Sequence, residues 1–176
     1  MIDFSQDYFA LFGLPARYRF DPAELDAAYR KLQTEVHPDR FASAGDDQRR
    51  LALQSSSRVN EAYRALRNPV ERASYLLSLR GIEALSETDT ALSPEFLEEQ
   101  LECREAMAEA VAGRDVDALT ELRKSIERRS EELERTLAEE LDRAVTPPGA
   151  RMNLRELKFL SKVATDISAA IAEIDD

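Results

Sequence analysis

The sequence contains one histidine, His37, and one cysteine, Cys103. Structural zinc sites and iron–sulfur clusters need several His or Cys ligands, so this ligand count argues against a metal-binding enzyme. A cysteine nucleophile needs an activating base, but Cys103 lies in a strong helical pattern and the chain has no second histidine to serve it. No Gly-rich phosphate loop is present. The sequence therefore predicts no catalytic residue, no metal site and no cofactor.

The histidine is followed by Pro38 and Asp39 at a break between two helical patterns. Proline cannot donate a backbone hydrogen bond and disfavours helical geometry at the preceding residue, so the first helix must end near His37. The proline then holds the loop open and presents His37 and Asp39 at an exposed tip. A carboxylate there can accept a bidentate pair of hydrogen bonds from an arginine of another protein. The alternative for a lone histidine is a surface or core residue with no task.

Two helices must position this tip. The first begins at an Asp21-Pro22 cap with Glu24 behind it, and its apolar face repeats at spacings of four, three and four: Leu25, Tyr29, Leu32 and Val36. The second stops at Asn68-Pro69 and has one face made of Leu51, Ser55, Val59, Ala62 and Leu66. A short helix near residues 8–12 and another over 69–80 accompany them. The pattern predicts a helical hairpin with the His-Pro-Asp loop at its tip.

Three long helical patterns fill the rest of the chain, at about 94–112, 115–143 and 152–174. Each has one apolar stripe and the connections are short, which predicts an antiparallel three-helix bundle. Residues 82–93 show weak periodicity and are interpreted as a linker. The predicted fold class is all-α, with an N-terminal domain over 1–80, a linker over 81–93 and a C-terminal domain over 94–176.

Charge and composition limit the partners. Residues 1–80 have a net charge of +1 and residues 81–176 of −12, so nucleic acid and anionic membrane are not expected to bind. The acidic half suits a partner with a basic surface, although solubility alone would explain most of these charges. The N-terminus has no basic signal region, no apolar run approaches membrane-spanning length, and one cysteine fits a reducing compartment. We expect a cytoplasmic protein, with the monomer favoured.

The tip and its flanks carry a family resemblance. The His37-Pro38-Asp39 tripeptide lies between the stretches Tyr29 to Leu32 and Asn60 to Tyr63, and this arrangement resembles the J domain. The resemblance implies that the tip stimulates the ATPase of a DnaK-class chaperone. In that family, basic residues on the helix before the His-Pro-Asp tripeptide face the acidic surface of the ATPase. The resemblance implies the same role for Arg30, Lys31 and Arg40. A solvated basic face is the alternative, because this helix is only modestly basic.

The resemblance extends along nearly the whole chain to the HscB family, the J proteins dedicated to iron–sulfur cluster assembly. It rests on the stretches from Tyr8 to Tyr18, Arg72 to Leu79, Phe96 to Glu105 and Lys158 to Lys162. The Gly/Phe-rich segment and zinc-ribbon cysteines of general-purpose J proteins are missing after residue 80. The resemblance implies a co-chaperone, not an enzyme, whose partners are the chaperone HscA and the scaffold protein IscU. One alternative is a J-domain co-chaperone that serves a different client. The other is a passive helical interaction protein that does not stimulate a chaperone.

The first bundle helix suggests where a scaffold would bind. Its buried stripe is predicted to consist of Phe96, Cys103, Met107 and Val111, whereas Leu97 and Leu101 are rotated off that stripe by about a quarter turn or more. They border carboxylates, and Phe159 is similarly displaced on the third helix, so an exposed protein-binding patch is predicted; a wide shoulder of the core is the alternative. The resemblance implies scaffold contacts at Leu97, Leu101, Glu102, Glu105, Glu109 and Phe159. Glu98 departs from the family, in which a methionine is familiar there.

Overall fold

The computed structural model describes residues 2–85, 92–143 and 149–175. The chain divides into two compact units, Met1–Leu79 and Arg80–Asp176. In the described residues the elements are all helical, which confirms the predicted all-α class with a helical hairpin followed by a three-helix bundle. Of the predicted linker 81–93, residues 86–91 lie outside the described residues, and Ala84 is buried.

The N-terminal unit contains four α-helices and one turn of 3-10 helix. They are α1 (Tyr8–Phe12), α2 (Pro22–Val36), the 3-10 turn Pro38–Phe41, α3 (Asp46–Arg67) and α4 (Pro69–Leu79). The Asp21 side chain accepts a 2.9 Å hydrogen bond from the backbone N–H of Ala23 and so begins α2 where the sequence predicts. α2 and α3 pack as a hairpin, and the fully buried side chains of this unit include Phe9, Leu25, Val59, Leu66 and Leu77.

An aromatic pair joins α1 to α4. The ring of Tyr8 stacks on that of Tyr75 with centroids 4.2 Å apart, and the backbone N–H of Tyr8 donates a 2.9 Å hydrogen bond to the Tyr75 hydroxyl. Burial raises the pKa of Tyr8 to about 12, and a hydrogen bond with Glu61 adds to the shift. The short N-terminal helix is therefore held by a specific contact as well as by apolar burial.

The C-terminal unit consists of α5 (Pro94–Ala112), α6 (Val116–Arg143) and α7 (Ala150–Asp175). Ser93, just before α5, bonds to Glu156 near the start of α7, and Arg114, just after α5, bonds to the carbonyl of Ile174 near the end of α7. α5 and α7 therefore run in the same direction, with α6 antiparallel to both. Pro147 and Pro148, which follow the second bundle helix in the sequence and should end it, lie outside the described residues. The predicted stripes of α6 and α7 supply the core, including Leu119, Leu137, Leu141, Leu157, Leu160 and Ile167.

The buried stripe of α5 differs from the predicted one at its C-terminal end. Phe96 and Cys103 are buried as predicted, and Gln100 and Ala110 join them, but Val111 is 41% exposed. The prediction for Val111 is wrong because a seven-residue repeat from Phe96 and Cys103 leads to Ala110, and the next residue is turned about 100° away. The register of the helix decides burial here, not the apolar character of the side chain.

The structure also bears on membrane and metal binding. None of the helices in residues 2–85, 92–143 and 149–175 is both long and apolar enough to cross a membrane. Those residues form no cluster of three or more His, Cys, Asp and Glu side chains suited to a metal ion. Burial raises the pKa of the Cys103 thiol, with Arg104 opposing the shift. The cysteine therefore packs as a small apolar side chain, as predicted.

Candidate functional site

The His-Pro-Asp tripeptide lies between the end of α2 and the 3-10 turn. Nδ1 of His37 accepts a 3.3 Å hydrogen bond from the backbone N–H of Asp39, so the neutral ring carries its proton on Nε2. The His37 and Asp39 side chains are 51% and 90% exposed. The predicted exposure of the tip is observed, but the open loop is not, because Pro38 occupies the first position of the 3-10 turn. The tip is therefore an ordered turn that presents an imidazole and a carboxylate.

The predicted basic residues are exposed near this tip. Arg30 and Lys31 lie on the solvent side of α2, away from Tyr29 and the α3 contact. The guanidinium of Arg40 donates a 3.2 Å hydrogen bond to the backbone carbonyl of Thr34, in the last turn of α2. The Arg40 guanidinium is thereby held at Thr34, one turn beyond Arg30 on α2, although Arg40 itself belongs to the 3-10 turn. The structure brings Arg40 to the α2 surface, whereas the sequence places it only near the tip.

The two sequence stretches that flank the tip contact each other. The rings of Tyr29 and Tyr63 stack with centroids 4.0 Å apart, and the Tyr29 hydroxyl donates a 2.9 Å hydrogen bond to Oδ1 of Asn60. Gln33 donates to the Tyr29 hydroxyl at 2.9 Å, and the Tyr63 hydroxyl donates to Asp26 at 3.0 Å. The bond to Asp26 is the main reason that the pKa of Tyr63 is raised. These residues, Asp26, Tyr29, Gln33, Asn60 and Tyr63, form a clasp across the hairpin.

The second group of predicted residues lies on α5 and α7. Leu97 and Leu101 are 52% and 60% exposed, so the alternative that they form a shoulder of the core is wrong. The exposed carboxylates next to them on the helix are Glu98, Glu102, Glu105 and Glu109. At 100° per residue the two leucines and these carboxylates occupy adjacent faces of α5. An apolar strip bordered by negative charge therefore faces solvent.

Phe159 is placed beside this strip by an aromatic contact. Its ring meets that of the buried Phe96 edge-to-face, with centroids 5.7 Å apart. The guanidinium of Arg104 lies 5.6 Å from the Phe159 centroid and covers the ring from the α5 side. Sequence reasoning missed Arg104, although a lone cation seven residues after Leu97 shares its face of the helix. The patch thus combines two leucines, a half-buried phenylalanine and one arginine.

A buried carboxylate fixes the position of this patch. The Ser93 hydroxyl donates a 2.6 Å hydrogen bond to Oε1 of Glu156 and accepts one from the backbone N–H of Phe96 at 3.3 Å. Glu156 is buried, and it lies at the positive N-terminal end of α5, which favours a negative charge. The bond fixes the position of α5 along the axis of α7. It thereby also fixes the contact between the rings of Phe96 and Phe159. The sequence signal for this bond is weak: Glu156 is a charged residue that lies next to Leu157 among predicted core positions.

The predicted site residues thus form two groups in separate units. The tip group, His37, Pro38, Asp39, Arg30, Lys31 and Arg40, lies in Met1–Leu79. The patch group, Leu97, Leu101, Glu102, Glu105, Glu109 and Phe159, lies in Arg80–Asp176. Neither group contains the base, nucleophile and orienting group of a covalent catalyst. Both are arrangements of exposed side chains suited to contacts with other proteins.

Two protein families match different parts of the chain. Residues 7–75 match the family described as DnaJ domain. Residues 92–168 match the family described as HSCB C-terminal oligomerisation domain. One match contains the tip group and the other contains the patch group.

Full-length relatives share both parts. A protein named Co-chaperone protein HscB homolog from Azoarcus sp. (strain BH72) is 46% identical over 175 residues, covering 99% of this chain and 99% of that protein. A protein of the same name from Cupriavidus taiwanensis is 48% identical over 170 residues, covering 97% of this chain and 96% of that protein. The similarity therefore extends well beyond the His-Pro-Asp hairpin.

Solved structures are similar in fold. The chaperone HscB from Vibrio cholerae superposes with a TM-score of 0.85 at 33% identity, covering 96% of this chain and 99% of that chain. The human co-chaperone protein HscB superposes with a TM-score of 0.88 at 29% identity, covering 96% of this chain and 83% of that chain. Both likenesses span the hairpin unit and the bundle.

Proposed function

The chain belongs to the HscB family of J-domain co-chaperones of iron–sulfur cluster assembly, and from that premise we propose which of its residues hold each partner. One partner is a DnaK-class chaperone, the family's HscA, which docks on residues 1–80. The other is an iron–sulfur scaffold protein, the family's IscU, which docks on residues 94–176. The observation that supports the proposal is that the tip group and the patch group are exposed in separate compact units.

The chaperone docks on the His-Pro-Asp tip. Asp39 accepts paired hydrogen bonds from an arginine of the chaperone, and His37 donates from Nε2. Arg30, Lys31 and Arg40 steer and orient the encounter with an acidic surface, so their effect falls as salt is added. The clasp residues do not touch the chaperone. They hold α2 and α3 in the register that places the tip.

The scaffold docks on the α5–α7 patch. Leu97, Leu101 and Phe159 supply the apolar area that is buried in the complex, and each contributes to affinity through the area that it removes from water. Glu102, Glu105 and Glu109 form the acidic border, which pairs with basic side chains of the scaffold. Arg104 stays over Phe159 and keeps the ring in place for that contact.

The test is the ATPase rate of the chaperone with this chain, the scaffold, or both. We expect the two together to raise the rate more than the sum of their separate effects, because the co-chaperone brings the scaffold to the chaperone. Leu97→Ala combined with Phe159→Ala should weaken scaffold binding by about tenfold to a hundredfold and remove the synergy. Leu53→Ala removes an equally exposed leucine from α3 and is the matched control for scaffold binding. An unstimulated ATPase in the presence of both proteins would overturn the proposal.

A different client is the second candidate function. Glu98 is exposed beside Leu97, where the resemblance implies an apolar methionine, so the patch is more acidic than the family pattern. A client with a more basic surface would fit that difference. Calorimetry distinguishes the two: scaffold binding supports the first candidate, and its absence together with preserved ATPase stimulation supports the second.

We further propose that the chain acts without enzymatic activity or a cofactor of its own, as a cytoplasmic monomer that binds neither nucleic acid nor membranes. The net charge of −12 over residues 81–176 supports the last point, because nucleic acid and anionic membranes are polyanions. Sedimentation equilibrium of the purified chain tests the oligomeric state, and a mass above 19.9 kDa would contradict the monomer.

A further inference from the structure

Exposed apolar side chains are concentrated on α5. In the described part of the chain six large apolar residues are exposed: Phe4, Leu53, Leu79, Leu97, Leu101 and Val111. Three of the six lie on this one helix. Single exposed leucines and valines are ordinary on protein surfaces, whereas several on one helix face indicate a contact surface.

These three side chains share one face. At 100° per residue Leu97, Leu101 and Val111 fall within an arc of about 80°, and at 1.5 Å per residue they span about 21 Å of helix. Ala108 and Arg104 lie between them on the same face and are also exposed, and the Arg104 guanidinium lies over the Phe159 ring. The stripe therefore continues for nearly three turns beyond Leu101 and ends two residues past Glu109, the last α5 residue of the proposed scaffold contact.

The stripe has a different border on each side. Toward the core it meets the buried row that runs from Phe96 to Ala110. Val111 lies outside this row and is not part of the buried core. On the opposite side it meets the exposed carboxylates Glu98, Glu102, Glu105 and Glu109, which follow it along the helix. A partner that covers the stripe must therefore bring apolar side chains bordered by basic ones.

We infer that the docking surface for the scaffold extends along the whole length of α5 to Val111. This inference rests on the proposed function, because it assigns the C-terminal half of the stripe to the same partner. Both halves share one face of α5 and one acidic border, which favours a single partner for both. Val111 is then a contact residue, and the scaffold contributes an apolar row about 21 Å long with a basic border.

The experiment is calorimetry of the full chain with the scaffold protein. Val111→Ala should weaken binding about three- to tenfold, since it removes two carbon atoms from a partly buried contact. Val111→Ile keeps the apolar contact and should bind as tightly as the original chain. Leu53→Ala, on α3, should leave scaffold binding unchanged. Because alanine favours helix more than valine does, the thermal unfolding temperature of Val111→Ala should be no lower than that of the original chain.

Three results would overturn the inference. If Leu97→Ala weakens binding and Val111→Ala does not, the surface ends at Leu101 and the proposed function survives. If neither variant changes the affinity, the patch itself is not the scaffold site and both ideas fail. If Val111→Ala instead lowers the mass of a self-associated form in sedimentation and leaves the affinity unchanged, the stripe joins two copies of this chain.

Discussion

The Tyr29 hydroxyl donates a 2.9 Å hydrogen bond to Oδ1 of Asn60, 31 residues away on the neighbouring helix. With the stacking of Tyr29 on Tyr63 at 4.0 Å, this bond joins the two stretches on either side of the His-Pro-Asp tip. The tip has local bonds of its own, from Asp39 N–H to Nδ1 of His37 and from Arg40 N–H to the His37 carbonyl. The clasp behind it holds together the two helices that carry this turn.

The clasp predicts an energetic coupling between Tyr29 and Asn60. Tyr29→Phe and Asn60→Ala should each lower the free energy of unfolding by about 1 kcal/mol, because each removes one partner of a half-buried hydrogen bond. In a double-mutant cycle by urea unfolding, the pair should show a coupling of about 0.5–1.5 kcal/mol. Arg50→Ala, which breaks an exposed ion pair with Asp47, should cost less than about 0.5 kcal/mol. Additive effects at Tyr29 and Asn60 would contradict the clasp.

The bond between Ser93 and Glu156 predicts a second effect on stability. Ser93→Ala removes the cap of α5 and leaves the buried Glu156 carboxylate with only the longer 3.4 Å bond from the backbone N–H of residue 93, so the C-terminal unit should lose about 1–3 kcal/mol. Ser93→Thr keeps a hydroxyl and should lose much less. Scaffold affinity should follow the same order, since α5 carries the patch. Exposed Ser125 on α6 supplies the control, because Ser125→Ala should change stability by less than about 0.5 kcal/mol. Equal stability of the Ala and Thr variants would show that the hydroxyl has no such role.

Local signals predicted the helices well. Pro38 and Asn68-Pro69 end the helices before them, because proline restricts its own backbone and that of the residue before it. The exposure of Leu97 and Leu101 was also predictable, since burial follows the 3.6-residue period once a stripe is identified.

Contacts between distant segments were not predictable in this way. The clasp depends on the contact between Tyr29 and Asn60. The position of α5 against α7 depends on the bond between Glu156 and Ser93, which is 63 residues earlier in the chain. Helical periodicity assigns a face to each residue but not its neighbour on another helix. Val111 is a different case, because the seven-residue repeat from Phe96 and Cys103 leads to buried Ala110 and turns Val111 about 100° away from it.

The raised pKa of Tyr8 predicts that the free energy of unfolding falls at alkaline pH. The neutral phenol is favoured in the folded state, where burial raises the pKa of Tyr8 from 10.0 to about 12. The unfolded chain releases this proton at lower pH, so the stabilising contribution is complete below pH 10 and is lost as the pH rises to about 12. Unfolding of the original chain and of Tyr8→Phe by urea across this window measures the effect. We expect the decline to be shallower in the variant, and parallel curves would contradict the assignment.

The burial of Cys103 predicts that its thiol reacts slowly with disulfide reagents. The side chain is buried in α5 and burial raises the pKa of its thiol, so little thiolate is accessible at neutral pH. A chromogenic disulfide reagent should react with the folded chain far more slowly than with the chain in urea. Because access requires the bundle to open, Ser93→Ala should accelerate the reaction and Ser125→Ala should not. Rapid labelling of the folded protein would place the thiol at the surface instead.

The most direct test of the account is the His37→Gln variant in two assays on the same preparation, the chaperone ATPase rate and calorimetric binding of the scaffold. The variant alters an exposed side chain in Met1–Leu79, whereas the scaffold patch lies in Arg80–Asp176. We predict that stimulation of the ATPase is lost while the scaffold affinity stays within about twofold of the original chain. Full stimulation by the variant, or loss of scaffold binding together with stimulation, would contradict a chain with two separate docking sites.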